Sequence, residues 1–293
     1  MHGTIGQPAC GHQFAARGTC FEAPVCDYQT VDRLEQELAS FQGLWKGGFW
    51  AADPLRPQGS VYGIFGQMGT SHATYLRCIR PYVNEQTTAL EIGPGRGAWT
   101  RTLLRARQVH CLDALSAEHN GFWENIGRRD NVTYEQARDF SLRSLQPDSL
   151  TYAFSYDALC HVSFEGITAY AKNLFAKMRA GANGFFMVAD YEKYNAFVAT
   201  LDEHSALATL LPKNKMSWLK TFWRPINRYY AKRYSLSPLD IREDDTPKPG
   251  RWYHAGTRRT CDMLTGVGYE VMDEDVGTDF RSPIIHFSKP QRS

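Results

Sequence analysis

The run Thr88-Ala89-Leu90-Glu91-Ile92-Gly93-Pro94-Gly95-Arg96-Gly97 constrains this chain more than any other stretch. An apolar segment stops at an acid and breaks into glycines on alternate positions, Gly93, Gly95 and Gly97. It reads as a buried strand entering a tight turn. The segment 98–107 then carries apolar residues at helical spacing, with Trp99, Leu103, Leu104 and Ala106 on one side. Strand, glycine turn and helix together make a cradle for a nucleotide-bearing cofactor. Glycine lets the main chain approach a ligand closely, and a helix start offers unpaired N–H groups. An ordinary strand–turn–helix is the plain alternative, and the stretches that follow discriminate between the two.

Val109-His110-Cys111-Leu112-Asp113 reads as a second strand, ending in an acid sixteen residues beyond Gly97. A carboxylate there can accept hydrogen bonds from two ribose hydroxyls, or it can cap a helix over 116–127. Asn131 to Gln136 reads as a third strand, with Asp139-Phe140 just beyond it. Leu150 to Ser155 reads as a fourth, followed by the loop Tyr156-Asp157-Ala158-Leu159-Cys160-His161-Val162. A helix over 164–179, a turn at Ala180-Gly181 and a fifth strand over 184–189 come next. After a long interval, a helix over 257–265 leads into two final strands, 269–276 and 284–288. Strands alternating with helices imply an α/β fold built on a largely parallel sheet.

The spacing E-x-G-x-G-x-G, with Glu91 two residues before Gly93, resembles the first motif of the class I S-adenosylmethionine-dependent methyltransferases. Dinucleotide enzymes favour G-x-G-x-x-G instead. The resemblance covers about residues 72–190 and resumes over 251–289. It implies a Rossmann-like, doubly wound, mostly parallel seven-stranded sheet with a C-terminal antiparallel hairpin. It implies S-adenosyl-L-methionine as cofactor, with Glu91, Gly93, Gly95 and Gly97 at its amino-acid end and Asp113 on its ribose. It further implies Asp139 at the adenine amino group, the backbone N–H of Phe140 at the ring, and Ser155 and Tyr156 lining the site. Asp139 as a turn cap competes with its adenine role. An NAD-dependent oxidoreductase is the rival reading, and it leaves the closing strand pair unexplained.

Four regions follow: an N-terminal extension over 1–70 that covers the active site, a cofactor-binding core over 71–190, an inserted lid over 191–250, and the rest of the core over 251–293. The passage 45–66 is aromatic and glycine-rich, too apolar for a free linker. Within 213–233 there are seven basic residues and no acids, interleaved with aromatics such as Trp218, Trp223 and Tyr230. Such a stretch suits a lid that stacks on a sugar or ring and holds an anionic group. A surface helix touching membrane or nucleic acid, and a plain solvated face, are the alternatives. A formal net charge of +2 gives no general preference for polyanions, so nucleic acid ranks low.

Hydrophobic content of 43% and charged content of 22% are globular values. No apolar stretch reaches membrane-spanning length and the start lacks a signal-peptide pattern, so a cytoplasmic enzyme is expected. Seven scattered cysteines do not read as a disulfide framework. Cys10, His12, Cys20 and Cys26 would offer zinc ligands, but without paired C-x-x-C spacing a loop-like leader is the preferred reading.

The chemistry implied is transfer of a methyl group to a small-molecule or glycan-like acceptor, most plausibly at a hydroxyl. A hydroxyl needs a base or a metal to take its proton. His161, just past the fourth strand, is the leading base, with His254 and His72 behind it. A helix-start histidine bonded to backbone is the alternative for His161. Asp157 and Asp190, at the ends of the fourth and fifth strands, offer a lesser magnesium-dependent variant. N-methylation and a non-catalytic cofactor-binding interaction protein complete the alternatives.

Overall fold

The apolar segments do form strands, and the strands form one sheet. β1 (Thr88–Ile92) is buried at every position. β2 (Gln108–Asp113) and β4 (Leu150–Ser155) flank it, both parallel to it, with Leu90 beside His110 on one side and Ala153 on the other. β3 (Val132–Gln136) extends the sheet beyond β2, and β5 (Met178–Met187) extends it beyond β4. β7 (Ile284–Ser288) runs antiparallel to β5, and β6 (Glu270–Asp273) closes the edge antiparallel to β7. The order is β3-β2-β1-β4-β5-β7-β6. The seven-stranded sheet with its C-terminal antiparallel pair is therefore as expected. The computed structural model describes residues 36–41, 54–55, 67–203, 238–241, 252–279 and 281–291.

Successive strand residues point to opposite faces, and two cores result. Leu90, Ile92, Phe186 and Val188 face one layer, which holds α6 (Phe164–Lys177) and α8 (Thr257–Val267). Ala89, Val109, Cys111, Phe154 and Phe185 face the other, with Ile79, Leu103, Phe122 and Ile126. α6 illustrates how sequence makes helix. Its buried residues Ile167, Tyr170, Ala171 and Leu174 recur at helical spacing, and the hydroxyl of Ser163 caps its start by accepting the N–H of Gly166 at 3.1 Å. α1, the helical stretch over 36–40, is followed at once by Phe41. Leu38 and Phe41 join the α6 core, so this part of the N-terminal extension is packed on the sheet layers.

Several element boundaries differ from expectation. The helix after the glycine turn is only α3 (Thr100–Leu103), since residues 95–99 turn without forming it. The single helix expected over 116–127 is two, α4 (Ala117–Asn120) and α5 (Phe122–Ile126), broken at Gly121 in the left-handed conformation. α2 (Gln67–Thr74) runs into a wider π-helical turn, Tyr75–Ile79. β5 begins at Met178 rather than at 184, because Gly181 bends within the strand at φ +78° instead of ending a loop. α7 (Tyr191–Glu203) starts directly after Asp190. Cys10, His12, Cys20, Cys26, most of the 45–66 passage and the basic stretch 213–233 lie outside the described residues. Among the described residues no helix is long and apolar enough to cross a membrane. The described cysteines, Cys78, Cys111, Cys160 and Cys261, are free thiols and buried.

Candidate active site

The chain leaves β1 toward β2 on one side, while β4 leads toward β5 on the other. The connections from their carboxyl ends therefore run in opposite directions, and such a switch point is where open α/β sheets take ligands. The glycine loop stands there. Gly93 has φ +74°, and a Cβ on it would lie 2.1 Å from the Cβ of Ala158 in the β4 loop. Only glycine permits the two loops to meet this closely. Gly97, at φ +88°, is likewise pressed against α5, where a Cβ would come 2.5 Å from Ile126. Ser155 ties the strand ends together, its hydroxyl donating to the Ile92 carbonyl at 2.9 Å.

Asp113, at the end of β2, reaches across to the loop. One carboxylate oxygen accepts the N–H of Gly95 at 2.9 Å and the other accepts the N–H of Leu115 at 2.9 Å. A carboxylate offers about four lone-pair sites, so acceptor capacity remains on each oxygen. Burial pushes this carboxyl up, and the two backbone N–H groups and Asn120 pull it back. Glu91 faces away from the loop into the opposite layer. It is buried, and one oxygen accepts the hydroxyl of Thr100 at 2.6 Å and the thiol of Cys111 at 3.8 Å. Burial raises its carboxyl to about 7.

Asp139 caps its own turn: a single oxygen accepts the Ser141 N–H at 2.8 Å and the Ser141 hydroxyl, while Arg143 pairs with the other at 3.2 Å. Burial opposes ionisation there, but Ser141 and Arg143 outweigh it and hold the carboxyl low. The Phe140 ring is buried edge-on against Tyr170, 4.6 Å between centroids.

The loop after β4 carries a polar cluster. Asp157 sits at φ +56°, and its Oδ1 pairs with Arg281 at 2.7 Å. Ligand atoms of Asp157, Cys160 and His161 all lie within 4.8 Å of one another. Burial and the Asp157 charge push the Cys160 thiol well up, so it stands as a neutral S–H donor to Asp157. Arg281 lies over the Trp252 ring at 4.9 Å. Tyr156 packs at a tilt against Trp99, 4.5 Å between centroids, and donates its hydroxyl to Asp279 at 3.2 Å; burial and Asp279 keep that phenol protonated.

No family model matches the chain, and no curated protein matches it. Solved structures similar to it include a methyltransferase dependent on S-adenosylmethionine from Mesorhizobium loti, with 17% identity, 74% of this chain and 97% of that one covered, and a TM-score of 0.46. Another, from Methanosarcina mazei, has 15% identity, coverage of 74% and 98%, and a TM-score of 0.45. The N-methyltransferase NodS of Bradyrhizobium japonicum, in complex with S-adenosyl-L-homocysteine, has 14% identity, coverage of 89% and 99%, and a TM-score of 0.46. What decides the fold is strand order, with the last strand in sequence inserted antiparallel between β5 and β6. The fold is a Rossmann-like, mostly parallel seven-stranded sheet with a C-terminal antiparallel pair.

Within this fold, the structure gathers Gly93, Gly95, Asp113 and Ser155 around the switch point. His161 ends a short 3₁₀ turn, Leu159–His161, half-buried beside Asp157. His254 is engaged differently. Its Nδ1 accepts the N–H of Tyr191 at 3.0 Å, which fixes the ring proton on Nε2. His254 thus presents a donor and is poorly suited to the base role expected of it. His72 bonds the Pro54 carbonyl through Nδ1 at 2.8 Å.

Asp190, set beside Asp157 in the magnesium-dependent variant, has both oxygens engaged by the protein itself. Asp190 is an N-cap for α7, with Oδ1 accepting from the N–H groups of Glu192 at 2.8 Å and Lys193 at 3.2 Å. Its other oxygen takes the N–H and hydroxyl of Thr257 at the start of α8. These bonds hold its carboxyl low against the opposing effect of burial. Arg281, Asp279 and Glu37 did not stand out in the sequence. The charged pair Asp279 and Arg281, in the loop between two strands, was the available signal for the first two.

Proposed function

We propose that this chain is an S-adenosylmethionine-dependent methyltransferase acting on a small-molecule or sugar-like acceptor, with O-methylation as its reaction. The observation that carries the reading is the glycine loop at the β1/β4 switch point, held to Asp113 through the Gly95 N–H. The residues fit the cofactor. The loop is kept open in left-handed conformations at Gly93, Gly95 and Gly97, and Asp113 retains acceptor sites for ribose hydroxyls. When bound, the cofactor supplies an electrophilic methyl group.

The chain's own part is orientation and proton removal. Gly95 and Asp113 fix the sugar end, and Ser155 keeps the two strand ends in register. His161 accepts the acceptor's hydroxyl proton, and the Asp157 carboxylate nearby steadies the resulting imidazolium. Arg281, paired with Asp157 at 2.7 Å, holds that carboxylate in place. Tyr156, Trp252 and Tyr191 offer aromatic walls on the acceptor side, since Tyr191 and Trp252 pack at 5.6 Å.

Calorimetric titration with S-adenosylmethionine, S-adenosylhomocysteine and NAD tests the cofactor. An acceptor screen across sugars, phenols and amines, scored by S-adenosylhomocysteine release, tests the reaction. Tight NAD binding without affinity for the sulfonium donor overturns the reading. Donor binding without turnover on any acceptor favours an interaction protein. Turnover confined to amines replaces O- by N-methylation.

A further inference from the structure

Asp113 is held by a ring of polar contacts spanning several elements. Its Oδ1 accepts the N–H of Leu115 at 2.9 Å. The Leu115 carbonyl accepts the hydroxyl of Tyr134, on β3, at 2.8 Å. That hydroxyl accepts Nδ2 of Asn120, at the end of α4, at 2.8 Å. The Asn120 amide also faces the Asp113 carboxylate, which closes the ring. Asn120 is 2% exposed, and its Oδ1 has no hydrogen-bond partner among the described residues. A buried carbonyl without a donor is unfavourable. The fold bears it for the sake of the donor half of the same amide, which serves Tyr134 and Asp113.

We propose that Asn120 is a positioning residue for the cofactor site: with Tyr134 it fixes the Asp113 carboxylate in the orientation that receives the two ribose hydroxyls. The inference rests on the cofactor reading of Asp113 given above. It also accounts for the break at Gly121. The left-handed Gly121 ends α4 immediately after Asn120, so the amide sits on a terminated turn rather than on a continuing helix.

The role has a signature that packing alone does not. Removing the Asn120 donor lets burial push the Asp113 carboxyl higher, so cofactor affinity falls off at a higher pH. The other titratable groups whose charge is felt at that carboxylate are His119 on α4, Glu91 on β1, Cys111 on β2, Tyr134 on β3 and Tyr170 on α6. All but Tyr134 are unchanged in every variant below, and Tyr134 changes only in Y134F.

S-adenosylhomocysteine binding is measured by calorimetry from about pH 5 to about pH 8 for the wild-type chain, N120L, Y134F and D113N, alongside thermal unfolding. Leucine matches the asparagine in shape and removes the orphan carbonyl, so N120L stays folded, with its unfolding temperature lowered near neutral pH only as far as the higher Asp113 carboxyl requires. Its affinity falls about tenfold near neutral pH, and the pH midpoint of binding moves upward. Y134F shows the smaller loss with a shift of the same sign. Wild-type affinity and midpoint in N120L, with binding lost in D113N, overturn the role of Asn120 alone. Unchanged binding in D113N overturns the reading of Asp113 and the positioning role with it. Should N120L fail to fold, wild-type affinity and midpoint in Y134F overturn the proposal.

Discussion

Glu91 is an acid placed where an ionised acid is least stable. It points from the middle of the sheet into an apolar layer, and burial lifts its carboxyl to about 7 while Thr100 and Cys111 pull it back. Its pKa is thus raised on folding. Between about pH 4.5 and about pH 7 the folded chain keeps a proton that the unfolded chain has released. Stability from this group is fully present at the acid end of that window and declines as pH rises through it, by about 3 kcal/mol in all. Glu91→Gln cannot ionise and should lack the decline. Urea unfolding of both proteins at about pH 5 and about pH 8 checks this, the variant gaining on wild type at the higher pH. Parallel pH profiles would show that Glu91 stays charged in the fold. His161 makes the opposite kind of prediction, since its part is in turnover. His161→Ala should lower kcat by about 10²-fold while leaving S-adenosylhomocysteine affinity near wild type. A rate close to wild type would pass the proton to water or to another side chain.

At the scale of elements, Glu37 holds the N-terminal segment to the start of α6. One of its oxygens accepts the Ser163 N–H at 2.5 Å and the other accepts the Ser163 hydroxyl at 2.7 Å, and Glu37 itself is 2% exposed. A carboxylate at a helix N-terminus also meets the favourable end of the helix dipole. Ser163 lies two residues past His161, so the latch bears on the proposed base through the backbone. Glu37→Ala should cost about 1–3 kcal/mol, because it strands a buried N–H. Amide exchange should quicken at the first turn of α6 and leave β1 and β4 protected. Uniform loss of protection would mean the latch supports the whole fold.

This contact was not legible in the sequence, since nothing in Leu34-Glu35-Gln36-Glu37-Leu38 distinguishes one acid from its neighbours. The sheet was legible, because burial on both faces writes continuous apolar runs such as Thr88–Ile92 and Leu150–Ser155. The glycine loop and Asp113 were legible too, because left-handed turns and close approach demand glycine. Helix ends were read less well. The break at Gly121 and the short α3 depend on what packs around them, Phe122 and Ile126 against Gly97 among others. Roles such as the capping by Asp190 depend on partners far along the chain, here Thr257.

The whole molecule joins two layers through one sheet, and the proposed cofactor would bridge its halves. Gly95 and Asp113 belong to the β1–β2 side, whereas Ala158 and His161 follow β4. The bond from Ser155 to Ile92 and the meeting of Gly93 with Ala158 are the described ties across the crevice at this end. A ligand that spans the crevice binds the folded chain and not the unfolded one, so it stabilises by RT ln(1 + [L]/Kd). At a concentration about 100-fold above Kd that is about 2.7 kcal/mol. For a chain of this size it corresponds to a rise in unfolding temperature of about 2–6 °C. S-adenosylhomocysteine should give this rise and NAD none, in the same buffer and at matched concentrations. Gly93→Ala, whose added methyl would meet Ala158, should prise the two loops apart and abolish the ligand-induced rise along with part of the basal stability. A full ligand-induced rise in Gly93→Ala would show that the crevice tolerates the methyl group and that close contact at Gly93 is not what forms the site.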